Sequence, residues 1–139
     1  MNTAIAFAAP SVKKSTLALW AARILAGLAV LFLAFDTTLH ILRLAPALEG
    51  AVQLGYPPGV VVWLGVIQLV CLGLYLVPRT APIGAVLWTG YLGGAIATHV
   101  RLENPLFSHT LFPVYVAVLL WLPLYLRDER VRRLVTSAE

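Results

Sequence analysis

Residues 17–42 read LALWAARILAGLAVLFLAFDTTLHIL. A run this long exceeds the roughly 20 apolar residues that carry a helix across the hydrocarbon core of a bilayer. Its ionisable residues are Arg23, Asp36 and His40. Three further runs follow: 59–77, set off by Pro57, Pro58 and Pro78; 83–100; and 111–126. A single crossing satisfies all its backbone groups only as a helix. The sequence therefore predicts an all-α integral membrane bundle of four transmembrane helices.

Composition agrees. With 139 residues, 60% of them hydrophobic and only 12% charged, and a mean hydropathy of +0.88, a water-soluble fold would leave too much apolar surface uncovered. One membrane domain, 17–126, is the economical reading, with the lipid bilayer as its first partner. The net charge of +4 does not indicate nucleic acid, because the basic residues sit at segment ends rather than on one face. They act as topology signals. Lys13, Lys14, Arg79, Arg127, Arg130, Arg132 and Arg133 collect on one side, with Arg23 near it, whereas Arg43 and Arg101 lie on the other. By the positive-inside rule both termini are cytoplasmic, in a multi-pass protein of a bacterial inner (plasma) membrane. The first run is too long for a cleaved signal peptide and lacks a small-residue cleavage site. Residues 1–16 read as a flexible cytoplasmic tail and 127–139 as a basic one. Between the first two crossings, 45–56 is mildly amphipathic and suits the membrane interface. Residues 78–82, with proline at both ends, form a tight turn.

Chain reversal places the end of the first crossing and the turn between the third and fourth on the same side. Asp36, His40, Arg43, His99, Arg101, Glu103 and His109 thus converge at the non-cytoplasmic face. Charge in hydrocarbon is costly unless paired or hydrated, so these residues are functional candidates by default. Asp36, His40 and Arg43 recur at i, i+4 and i+7 and project from one helix face. A salt bridge bracing the helix end is the plain alternative. Asp36 lies well inside the segment and requires a cation, a donor or a proton, with His40 and Arg101 as the nearest suppliers. Ser108 or Thr110 can cap the fourth helix, and His109 can serve at the same place.

Gly90, Gly93, Gly94 and Ala97 form a small-residue surface on the third crossing. Close packing of another helix is the favoured role, and room for a flat ligand beside Gly94 and Thr98 is the alternative. Gln68, the strongly polar side chain at mid-depth in the second crossing, reads as an interhelical hydrogen bond. The three histidines with Asp36 or Glu103 have ligand types suited to zinc or iron, but no tight spacing joins any two, so a metal site is not expected. Haem held by His40 and His99 has no other support. Cys71 is the single cysteine, which rules out a thiol relay within the chain. No phosphate loop, dinucleotide glycine pattern or Ser-His-Asp signature is present.

The stretches Phe35-Asp36-Thr-Thr-Leu-His40, Leu54-Gly-Tyr-Pro57, Tyr75-Leu-Val-Pro-Arg-Thr80, Thr89-Gly-Tyr-Leu-Gly-Gly-Ala-Ile-Ala-Thr-His-Val-Arg101 and Asn104-Pro-Leu-Phe-Ser-His-Thr-Leu-Phe-Pro113 resemble the DoxX-like family of small membrane proteins over roughly 20–128. Relatives often carry an acidic residue where this chain has Gln68. The resemblance implies a four-helix bundle and, at Asp36, His40, His99, Arg101 and His109, a ligand site. The family takes its name from a subunit associated with a thiosulfate:quinone oxidoreductase. Other relatives look like partners in redox-stress complexes, and a distant animal branch resembles a receptor-assembly chaperone.

Two expectations follow. In the first, a polar pocket near the non-cytoplasmic face binds a lipophilic small molecule, quinone-like or another ring compound, and assists redox or acid–base chemistry on it. Asp36 accepts a proton or orients His40, His99 hydrogen-bonds a substrate oxygen, and Arg101 stabilises developing negative charge. Arg43, Gln68, Gly94, Thr98, Glu103 and His109 line the ligand, and no cofactor is covalently held. In the second, the chain is a non-catalytic accessory or assembly subunit that docks a partner membrane or redox protein, or a second copy of itself, through the glycine-rich third helix. A transporter ranks below both, because four short helices rarely enclose an alternating-access path.

Overall fold

The computed structural model describes residues 16–136. The tail expected over 1–16, apart from Thr16, and the last three residues lie outside the described part. Six α-helices follow in order: α1 Thr16–Ile41, α2 Ala45–Gln53, α3 Val61–Leu76, α4 Ala81–Arg101, α5 Phe112–Arg127 and α6 Glu129–Thr136. A 3₁₀ turn, Pro58–Val60, leads into α3, and a π-helical turn, Leu106–Thr110, leads into α5. Four stretches are long and apolar enough to cross a membrane: Thr16–Ile41, Pro58–Leu76, Ala81–Arg101 and Leu106–Arg127. The chain is a multi-pass membrane protein.

The four long helices form a closed ring. α1 packs on α3 and α5, and α4 packs on the same two, so α1 and α4 face each other across a diagonal. α1 turns Ala22, Ala26, Ala29, Leu33 and Thr37 inward, a stripe at three- and four-residue spacing. Its other faces carry exposed Leu28, Leu31 and Phe35, the surface expected against lipid. Tyr75, Trp88, Leu120 and Leu124 fill the core toward the end of the bundle where α3 meets α4. Tyr75 donates its hydroxyl to the Leu120 carbonyl at 2.9 Å, three residues before Pro123 interrupts α5.

Two glycines set the close crossings. A Cβ on Gly65 would lie 2.8 Å from the Ile41 nitrogen and 2.9 Å from the His40 Cβ, so α3 meets α1 there without side chains between. Gly84 of α4 sits as tightly on the backbone of Tyr75 and Cys71.

Three helices at the α2 end stop in the same way. Arg43 and Glu103 both have φ 53°, and Gly55 has φ 81°. Around each, paired bonds close the helix: Leu44 to Leu39 with Arg43 to His40, Asn104 to His99 with Glu103 to Val100, and Tyr56 to Ala51 with Gly55 to Val52. This is the Schellman stop, which usually employs glycine at the left-handed position. Here two of three positions hold a residue with a side chain.

At the opposite end, the segment expected as a tail is the short helix α6, which buries Val131 against the core. Arg130 donates to the Pro78 and Arg79 carbonyls at 2.9 and 3.2 Å and to Asp128 at 2.8 Å. The tight turn between α3 and α4 is thereby tied to α6. The same guanidinium holds the Asp128 carboxyl below the usual carboxylate range.

Candidate functional site

The site starts at the Gly65 crossing. Antiparallel packing of α1 and α3 sets His40 against Gly65, and one turn away it sets Asp36 against Gln68. Gln68 is fully buried. Its side-chain amide donates to the Asp36 carboxylate at 2.6 Å and to the Tyr91 hydroxyl at 2.9 Å, linking α1, α3 and α4. The interhelical bond expected of Gln68 is thus a double one. Its carbonyl oxygen is buried without a partner, which raises the cost of the arrangement. His40 Nδ1 lies 2.9 Å from the Asp36 main-chain carbonyl and 3.7 Å from its carboxylate.

Beside this cluster is a cavity of about 540 Å³, the size of a small-molecule site. It occupies the diagonal between α1 and α4 and is bounded by α2 and by Leu64 of α3. Asp36, His40 and Tyr91 supply one polar wall, and Tyr56 and Thr98 supply another. Thr98 hydrogen-bonds the Gly94 carbonyl at 2.9 Å and the Tyr56 hydroxyl at 2.8 Å. Apolar walls come from Leu39, Ala47, Ala51 and Leu54. The interfacial piece expected over 45–56 is therefore also one side of a binding space, with Ala47 and Ala51 buried.

Gly90 and Gly94 line this cavity, and a Cβ on either would meet nothing within 4 Å. The expectation that they seat a neighbouring helix is corrected. Their missing side chains make room, because the diagonal position of α4 leaves this face opposite α1 rather than against it. The helix contacts that do need glycine are at Gly65 and Gly84.

The polar residues at this end divide into two groups. Asp36, His40, Gln68 and Tyr91 form the inner one. His99 instead pairs with the Asn104 side-chain amide at 2.9 Å and stacks edge-on against His109, ring centres 5.8 Å apart. His109 Nδ1 is 2.8 Å from the Ser108 hydroxyl. Arg101 donates to the Leu54 carbonyl at 3.0 Å and tethers the loop after α2. Among the described residues no direct hydrogen bond or ion pair joins Asp36 or His40 to His99 or Arg101. The turn after α4 draws its polar side chains to its own backbone and neighbours. Arg43 and Glu103 are exposed at the left-handed helix stops, and neither borders the cavity. Neither Ser108, His109 nor Thr110 caps α5: Leu111 occupies the cap position without a side-chain bond, and Thr110 donates to the Asn104 carbonyl at 3.3 Å. No group of three or more His, Cys, Asp or Glu side chains among the described residues is placed to hold a metal ion.

Tyr56 and Tyr91 are the polar cavity residues that the sequence did not single out. Tyr91 precedes Gly94 by three positions and Thr98 by seven, a spacing that marks one helix face. That was the available signal.

Fold and site together define a multi-pass α-helical membrane protein with a partly polar cavity inside one end of its bundle. The family model matching residues 24–122 is that of the DoxX-like family, and the chain belongs to this family. The matched stretch contains Asp36, His40, Gln68, Tyr91, Gly94 and Thr98. Comparison with curated proteins and with solved structures gives no match.

Proposed function

We infer that the chain binds a lipophilic ring compound of quinone type in the cavity between α1 and α4 and assists acid–base chemistry on it within a redox process. The observation that carries this reading is the Asp36 carboxylate on the wall of a space kept open by Gly90 and Gly94. A carboxylate fixed by a buried amide in apolar surroundings is suited to exchanging a proton with a ring oxygen. His40, hydrogen-bonded to the same turn of α1, is a second proton carrier. Thr98 and Tyr56 position the ligand's far side. Arg101, through its bond to the carbonyl of the cavity residue Leu54, holds the loop after α2 in place. The imbalance of lysine and arginine supports a non-cytoplasmic location for this end. Cysteine placed at Glu103 is then expected to react with an impermeant maleimide outside intact cells, whereas cysteine at Arg130 is not.

Solvent extraction of protein purified in mild detergent tests the ligand. A ring compound with near-ultraviolet absorbance, at about one per chain, is the expected yield. Extracts that contain bilayer phospholipid alone contradict the reading. The second reading, an accessory subunit docked to a partner protein, draws on Gly93 and Ala97, which are exposed and lie outside the cavity lining. It is favoured if a partner chain co-purifies in fixed ratio and no ring compound does.

A further inference from the structure

The hydrogen-bond directions around the cavity specify which chemical form of ligand it takes. A carboxylate can only accept, so the Gln68 atom 2.6 Å from Asp36 is the amide nitrogen. Its second hydrogen goes to the Tyr91 oxygen. The Tyr91 hydroxyl hydrogen then has no protein acceptor among the described contacts. A main-chain carbonyl also only accepts, so His40 Nδ1 carries a hydrogen toward Asp36, and the tautomer with its one hydrogen there offers Nε2 as an acceptor. Thr98 spends its one hydrogen on the Gly94 carbonyl and must accept from Tyr56. The Tyr56 oxygen keeps a free lone pair. The second Asp36 oxygen has no hydrogen-bond partner among the described residues.

The unspent groups of the wall are therefore three acceptors, at Asp36, His40 and Tyr56, and one donor, at Tyr91. A ligand that offers only acceptors displaces water from Asp36 and His40 without replacing the hydrogen bonds that the water made, which is unfavourable. A ligand with a hydroxyl satisfies them.

We propose that the cavity selects the hydroxyl-bearing form of a lipophilic ring, a phenol or quinol, over the corresponding ether or fully oxidised quinone. The ring hydroxyl donates to Asp36 or His40, and a second ring oxygen accepts from Tyr91. This rests on the cavity reading above.

4-Pentylphenol and its methyl ether, 4-pentylanisole, have nearly the same shape and differ in the donor. Both are measured by equilibrium dialysis against the full chain in lipid nanodiscs, with empty nanodiscs subtracted. The phenol is expected to bind at least about tenfold more tightly. In Asp36→Asn the new side-chain oxygen accepts from Gln68 and turns its NH₂ group to the cavity, so the preference for the phenol should collapse or invert. Equal binding of the two compounds to the wild-type chain, or a preference unchanged in a folded Asp36→Asn, overturns the selection while leaving the cavity reading intact. Binding of neither compound overturns both. The wild-type ratio decides the matter even if the variant does not fold.

Discussion

Gly84 and Gly94 lie on the same helix, and the bundle uses them in opposite ways. At Gly84 the absent side chain lets α4 rest on the backbone of Tyr75 and Cys71, in a region filled by Trp88, Leu120 and Leu124. At Gly94, less than three turns along, the absent side chain opens a cavity. The same helix uses an absent side chain for contact at one point and for open space at another. The difference teaches that a small-residue surface in a membrane helix does not announce its purpose. Purpose depends on whether the ring of helices places a neighbour or a diagonal partner opposite it.

The largest effect should come from making the same change at both glycines. Gly84→Ala forces a methyl group into main-chain atoms and is expected to cost about 1–3 kcal/mol or above. Gly94→Ala places the methyl group in open space and should stabilise by about 0.5–1 kcal/mol through better helix propensity. Thermal unfolding in detergent reads both. Equal losses at the two sites would erase the comparison. Leu92→Ala, beside Gly94 in sequence but 7% exposed, should cost about 2–5 kcal/mol, well beyond any loss from Gly94→Leu.

A middle-sized effect separates structure from chemistry within the open end. Gln68→Leu strips the donor from Asp36 and Tyr91 and should destabilise by about 1–3 kcal/mol. Asp36→Asn keeps an acceptor for Gln68 and should shift stability by less than about 1 kcal/mol while removing the proton-accepting group from the cavity. A larger stability loss in Asp36→Asn than in Gln68→Leu would mean that the carboxylate is a brace and not part of a ligand site.

The smallest effect concerns the helix stops of that end. Glu103 has φ 53°, where a side chain strains the backbone by about 1 kcal/mol and glycine does not. Glu103→Gly should raise thermal stability by about 0.5–1 kcal/mol and leave ligand content unchanged. Lowered ligand content would return Glu103 to the binding residues.

The four crossings were legible because lipid-facing helices need long apolar runs and the prolines at 57, 58, 78 and 82 mark their ends. That Asp36 and His40 share an end of the bundle with the turn that carries His99, Arg101 and His109 was legible from chain reversal alone. Their partners were not. Apolar and small residues run around most of the circumference of α4, so periodicity could not tell which face meets α3 and which meets the cavity. Glycine chemistry was misleading at Gly90 and Gly94 for that reason. The polar turn after α4 satisfies itself locally, His99 through Asn104 and Arg101 through Leu54, and sequence spacing gives no rule for such bonds. Tyr91 and Tyr56 did not stand out in the sequence because their value lies in hydroxyl groups that only the tertiary fold brings to Gln68 and Thr98.

The central claim, that the space between α1 and α4 holds a lipophilic molecule, is tested most directly by native mass spectrometry of wild type and Gly94→Leu purified side by side from their membranes. The wild-type chain should carry a non-phospholipid adduct of fixed mass, and Gly94→Leu, with a side chain filling the cavity and its thermal stability kept, should lack it. A wild-type chain without the adduct, or the same adduct in both proteins, would contradict the account.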